Sequence, residues 1–286
     1  MALGKLVADI ILDLHQRDFF KKINSVIDMG DQDVAIVFSE IKKRFERNNI
    51  KFDENLWHLS KKFPNRPRVS ASIFWKSLGI KTAERIDLVK LERDKNDNNK
   101  HIIHDLNLPL QNKDLFGKYD LVTDIGNNEH PFNIVEAYRT MHNLCKNSGY
   151  MMIYQAYLNG NGYYRFDDSS IDNVAAANNY SIIHSCFVIN HGEKSITIPL
   201  DRKYLKLINL NNLDNICMFY LLKKNNSEEF KFPYQGGGKE MTPKEFFTLK
   251  THYESRLPNQ IYLPSKVEDI NTKVLIRALI KKIFKI

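Results

Sequence analysis

Four acids fall at or just past the ends of hydrophobic, strand-like runs: Asp28 in "VIDMG", Asp87 in "RIDLV", Asp105 in "IIHDLN" and Asp124 in "LVTDIG". One acid there is explained as a cap for a following helix. Four in succession suggest a shared polar ligand, since carboxylates at the second and third strand ends can accept hydrogen bonds from ribose hydroxyls and an adenine amine. The fourth run, "YDLVTDIGNNEH", passes straight from apolar residues into an acid, a glycine, two amides, Glu129 and His130. A histidine at such a place is a candidate proton acceptor near neutral pH. Glu129 and His130 acting as a helix N-terminal cap is the competing reading.

The elements that must position these residues alternate. Helical spacing runs through residues 5–22, and "SVIDMG" follows as a strand. A helix is expected over 33–48 and another through "SIFWKSLGI", ending at Gly79. Strands "ERIDLV", "KHIIHDL" and "KYDLVTD" come next, then helix "NIVEAYRTMHNLCKN", strand "GYMMIYQA", helix "DSSIDNVAAANN" and strands "YSIIHSCFVI" and "NICMFYLLKK". This pattern predicts an α/β fold, a doubly wound, Rossmann-like, seven-stranded and mostly parallel sheet. Ligands of such sheets sit outside the carboxyl ends of the strands, where strand order reverses.

Asp87 follows Asp28 at nearly twice the roughly 30 residues a simple strand–helix–strand unit needs. The surplus, about residues 49–75, is read as an inserted segment with a small satellite core around Leu56, Trp57 and Phe63, or as a substrate wall. Residues 1–225 form the main domain on this reading, and 226–286 a C-terminal extension. The extension ends in a basic amphipathic helix, 272–286, with Leu275, Ile276, Leu279, Ile280, Ile283 and Phe284 on one face and five cations around the other. That pattern suits a membrane surface, a twin subunit or the chain's own domain.

A hydrophobic fraction of 43% over 286 residues suffices for a full core. No run reaches the roughly 20 apolar residues of a membrane span, and the N-terminus lacks signal-peptide organisation. Three widely separated cysteines argue against a zinc site or a disulfide framework, so a cytoplasmic location is expected, with peripheral contact at the inner membrane face through 272–286. The net charge of +8 permits an anionic partner, but AT-rich codon usage also explains much of it.

The stretch from His104 to Ile183, with "DLN-x-P", "D-x-G-x-x-EH", an "S-G" turn before the fifth strand and "G-x-Y-x-F" after it, resembles the core of the class I S-adenosylmethionine-dependent methyltransferases. It is most similar to a bacterial subgroup acting on small molecules or glycans, as in polysaccharide biosynthesis. The resemblance implies S-adenosylmethionine as cofactor. It implies that Asp28, Gly30, Asp31 and Gln32 form the first cofactor loop, that Asp87 binds the ribose, that Asp105 and Leu106 flank the adenine, and that Asp124 to Gly126 close near the methyl. It places His130, with Glu129, at the acceptor.

The loop "QAYLNGNGYYRF" offers Gln155, Asn159, Asn161, Tyr163 and Tyr164, amides and flat rings suited to a small polyhydroxylated or glycan-type acceptor. An "E-H" pair also resembles metal-assisted O-methyltransferases, but Gly126 stands where one of their acids would, so no metal is expected. The N-P-P-Y or D-P-P-Y run of nucleobase methyltransferases is not present, which disfavours nucleic acid as acceptor. With only Gly30 in a loop where that family carries two or three glycines, a non-catalytic binding or scaffold module is the alternative. Oligomeric state is not legible.

Overall fold

A computed structural model describes residues 2–62, 69–89, 100–191, 194–205 and 215–233. The N-terminal segment forms β1 (Ala2–Leu3) and α1 (Lys5–Gln16), whose Leu6, Val7, Ile10, Ile11 and Leu14 are buried at helical spacing. β2 (Ser25–Met29) leads into β3 (Asp33–Val34), which pairs in parallel with β1. The helix expected over 33–48 is therefore shorter, α2 (Phe38–Arg47). The β-branched run Val34, Ile36, Val37 at its expected start favours extended backbone.

The surplus segment contains α3 (His58–Lys62), and α4 (Ala71–Ser77) follows, capped by the Ser70 hydroxyl. Its Trp57 is fully buried and belongs to the same apolar cluster as Phe45, Phe74 and the inner face of α1. The satellite core predicted from sequence is thus continuous with the main one; Phe63 lies outside the described residues. Then come β4 (Thr82–Asp87), β5 (His101–Ile103), β6 (Tyr119–Ile125), α5 (Ile134–Leu144), β7 (Cys145–Leu158), α6 (Asp168–Ala177), β8 (Tyr180–His191), β9 (Lys194–Pro199), α7 (Arg202–Leu205) and β10 (Asn215–Lys224).

The main sheet has eight strands in the order β5-β4-β2-β6-β7-β10-β8-β9. All pairings from β5 to β7 are parallel, whereas β10 and β9 run antiparallel to their neighbours. The seven-stranded expectation is corrected by β9, whose Ile196 and Ile198 alternate with Ser195 and Thr197 in a period of two. Chain order runs outward from β2 through β4 to β5 and resumes on β2's other side at β6, so the order reverses between β2 and β6.

Two apolar layers cover the sheet. Val26, Leu121, Ile125 and Phe219 face α1, α2 and α4, while Ile27, Val122, Ile153 and Met218 face α5 and α6. Neighbouring residues on one strand alternate between the layers, which fixes where the strand-end acids point. Among the described residues no helix is long and apolar enough to cross a membrane. The basic helix predicted at 272–286 lies outside the described residues.

Candidate functional site

At the carboxyl end of β2 the chain turns through Gly30, with φ +82°, and its N–H donates to Ile86 O at 2.7 Å. A Cβ here would lie 2.8 Å from Asn127 Cγ and nearer still to its Oδ1, so only glycine fits. Asn127 arrives from the loop after β6, and its Nδ2 is buried without a hydrogen-bond partner in the protein. The two loops flanking the reversal point therefore meet through an amide donor that still needs an acceptor.

Asp87, at the end of neighbouring β4, accepts from Asp31 N at 2.7 Å and from Leu88 N at 2.6 Å. Each oxygen of an ionised carboxylate retains a further lone pair for a ligand. Beyond Asp87, Leu88, Val89 and, on β5, Ile103 are more than half exposed, large apolar groups at one edge. The strand "ERIDLV" expected from the sequence includes Leu88 and Val89, but β4 ends at Asp87 and leaves them beyond it. Asp105 accepts from Asn107 N at 2.9 Å and Nδ2 at 2.8 Å, which holds its carboxyl below the usual range. Asn107 in turn accepts from Asn133 N at 2.9 Å, fastening the β5 loop to the start of α5. Sequence reasoning missed Asn107, although it is the third letter of "DLN-x-P".

Several predicted ligand contacts point inward instead. Asp28 is buried within β2, its carboxylate accepting from Trp75 Nε1 at 3.0 Å and from Thr123 Oγ1. Burial raises its pKa to about 7, against those hydrogen bonds. It belongs to the α4 layer of the sheet, not to the loop. Asp31 is buried beside Arg85, 3.5 Å from Nε, and Gln32 is buried with its Nε2 on Met29 O at 3.0 Å. Leu106 packs into the α5-side core.

Asp124, also fully buried with a pKa raised to about 7 by desolvation, faces the opposite layer. It accepts from Asn127 N at 2.9 Å, from Asn128 N at 3.0 Å and from Gln155 Nε2. Its carboxylate shapes the loop that carries Asn127 rather than reaching out of it. Gly126 donates to Tyr154 O at 2.7 Å, tying that loop to β7. Gln155 lies inside β7, as the strand "GYMMIYQA" predicts, so this amide is an internal partner of Asp124 and not part of the loop "QAYLNGNGYYRF" expected to meet the acceptor.

Glu129 and His130 do not cap α5: Asn133 holds the N-cap position, three residues beyond His130. Glu129 is buried, its Oε2 accepting from Ala156 N at 3.4 Å, and burial raises its pKa. His130 is exposed, with Nε2 3.8 Å from Glu129 Oε1. The 159–164 loop closes on Glu129: Tyr164 N donates to Glu129 O at 3.3 Å, and a Cβ on Gly162 would stand 2.5 Å from that oxygen. Tyr164 OH donates to Phe132 O at 2.5 Å, and the rings of Phe132 and Tyr163 meet edge to face at 5.9 Å. Both rings are more than 70% exposed, at 74% and 72%. Asn159 and Asn161 are also exposed on this loop. The site thus combines a buried acid, an exposed imidazole and an exposed aromatic pair.

No family model and no curated protein matches the sequence. Solved structures similar to this chain include an S-adenosylmethionine-dependent methyltransferase from Archaeoglobus fulgidus, at 12% identity over 76% of this chain and 94% of that one, TM-score 0.43. Another is the 1,6-didemethyltoxoflavin-N1-methyltransferase of Burkholderia thailandensis with bound 1,6-didemethyltoxoflavin and S-adenosylhomocysteine, at 10% identity over 77% and 79%, TM-score 0.40. A third is an S-adenosylmethionine-dependent methyltransferase from Mesorhizobium loti, at 11% identity over 74% and 100%, TM-score 0.40. Similarities of this strength assign no activity, ligand or residue role here.

Proposed function

We propose that this chain is a class I S-adenosylmethionine-dependent methyltransferase acting on an oxygen or nitrogen of a small-molecule or sugar-type acceptor. The observation that carries this is the meeting of Gly30 and Asn127 at the strand-order reversal, with the Asp87 carboxylate at the adjacent strand end. The residues fit the cofactor. The unpartnered Asn127 Nδ2 offers a donor to the methionine carboxylate, and Asp87 has lone pairs for ribose hydroxyls. Leu88, Val89 and Ile103 form an apolar edge for a base, with Asp105 beside it.

When bound, S-adenosylmethionine supplies an electrophilic methyl on a sulfonium. The protein's part is to align an acceptor with it and to take up a proton when the acceptor is a hydroxyl. His130 is the proton acceptor on this reading. The Glu129 carboxylate, 3.8 Å from Nε2, stabilises the imidazolium that results. Asp124 and Gln155 hold the loop that orients Asn127 and Glu129, and Phe132, Tyr163 and Tyr164 present rings to the acceptor.

A second reading, a non-catalytic module, draws on the same loop: Asp31 and Gln32 are buried, and the Asn127 side chain lies over Gly30. Hydrogen exchange with S-adenosylhomocysteine separates the two. Catalytic function predicts slowed exchange at Gly30–Gln32 and Asn127–Asn128 on addition of the ligand. Unchanged exchange there favours the module.

A further inference from the structure

A cavity of about 270 Å³ opens between the start of α1 and the sheet, lined by Gly4, Lys5, Leu6, Val7, Tyr154, Asn190 and Ser195. At about 30 Å³ per water this is room for roughly nine waters, the scale of a single ring. Its floor is a polar row on the α1 side of the sheet. Asn215 on β10, Asn190 on β8 and Ser195 on β9 are register partners, so their side chains share one face. Ser195 Oγ donates to Asn190 Oδ1 at 2.7 Å, and Asn190 Nδ2 donates to Asn215 Oδ1 and, at 3.5 Å, to Tyr154 OH. These hydrogen bonds offset the cost of half-burying the row, and the Ser195 hydroxyl keeps lone pairs that a ligand could use.

The cavity adjoins the proposed site. Tyr154 O accepts the Gly126 N–H, and two residues along the same face of β7 the Ala156 N–H donates to Glu129 Oε2. The one cation in the lining, Lys5, is paired at 2.9 Å with Glu40 outside it, which balances its charge locally and leaves less of it for an anion. Tyrosine and serine hydroxyls and an asparagine amide both donate and accept, as does a sugar hydroxyl. Leu6 and Val7 supply an apolar wall for ring carbons.

We propose that this cavity receives an uncharged, hydroxyl-bearing ring of the methyl acceptor, a pyranose-sized neutral sugar, held by Tyr154, Asn190 and Ser195. This rests on the methyltransferase reading for what happens next, but not for the binding itself. It adds a recognition surface on the α1 side of β7 to the one offered by the 159–164 loop.

Gly4 offers a clean test, because a Cβ there meets nothing within 4 Å and its φ is an ordinary −86°. Gly4→Leu would extend a side chain toward the cavity without disturbing the sheet. The probes are glucose, galactose and N-acetylglucosamine, with glucuronate and glucose 6-phosphate as anionic counterparts, read by saturation-transfer NMR on the full chain. Expected is a signal for at least one neutral sugar that falls at least tenfold in Gly4→Leu and is weakened in Ser195→Ala. S-adenosylhomocysteine affinity of both variants should stay within twofold of the unmutated chain. Absence of any neutral-sugar signal, stronger signals from the anions, or sugar signals unchanged in Gly4→Leu would overturn the proposal. Failure of the methyltransferase reading would show separately, as failure of S-adenosylhomocysteine to bind the unmutated chain.

Discussion

Asn127 lies across Gly30, close enough that a methyl group on the glycine would overlap its side-chain amide. Gly30→Ala therefore meets two obstacles, the positive φ, which costs a non-glycine residue roughly 1–2 kcal/mol, and the overlap. We expect urea denaturation to show a loss of at least that size, together with weakened S-adenosylhomocysteine binding. In an Asn127→Ala background the overlap is relieved, so the double variant should be less destabilised than the sum of the singles. Strict additivity would show that the two loops do not touch in solution.

Two carboxyls inside the sheet give stability an unusual pH dependence. Asp28 and Asp124 titrate near 7 in the folded chain against 3.8 for the free side chain. Between those values the folded state binds the extra protons, so the contribution of these two carboxyls to stability falls as pH rises from about 4 to 7 and levels off above. Burial holds His142 and His184 at about 4, which gives the opposite slope up to about 6.5. Each unit of displacement is worth about 1.4 kcal/mol. Asp28→Asn can still accept from Trp75 and Thr123, so over that interval its stability should gain relative to the unmutated chain's as pH rises. Equal slopes for the variant and the unmutated chain in urea titrations at pH 4.5, 5.5 and 6.5 would refute this account of Asp28.

Gly162 presses on the Glu129 carbonyl, with no room for a methyl between them. Gly162→Ala should push the 159–164 loop off Glu129 and misplace its carboxyl. On the proposed mechanism kcat drops at least tenfold, as for Glu129→Gln, while S-adenosylhomocysteine affinity holds. A variant with full kcat would remove Glu129 from the reaction.

The alternation of elements was readable because strands and helices differ in period, and it led to the strand ends where the candidate site lies. Direction was less readable. Asp28 and Asp124 stand where ligand-binding acids are expected, yet each side chain falls on a covered face of its strand and turns inward to Trp75 or Gln155. Gln155 falls in both the predicted strand "GYMMIYQA" and the loop "QAYLNGNGYYRF"; its place inside β7, beside Asp124, makes the amide an internal one. Ser195 and Asn190 escaped notice because their proximity depends on the antiparallel register of β8 with β9. Asn107 and Asn133, far apart in the chain, likewise meet only once β5 and α5 are in place.

The central claim is a cofactor site built on Gly30, Asp87 and Asn127. Isothermal titration of S-adenosylhomocysteine into the full chain and into Asp87→Ala tests it most directly. The account predicts saturable one-to-one binding to the unmutated protein and at least a tenfold loss in the variant, with the variant still folded by circular dichroism. No binding to the unmutated protein, or equal affinity in the two, would contradict it.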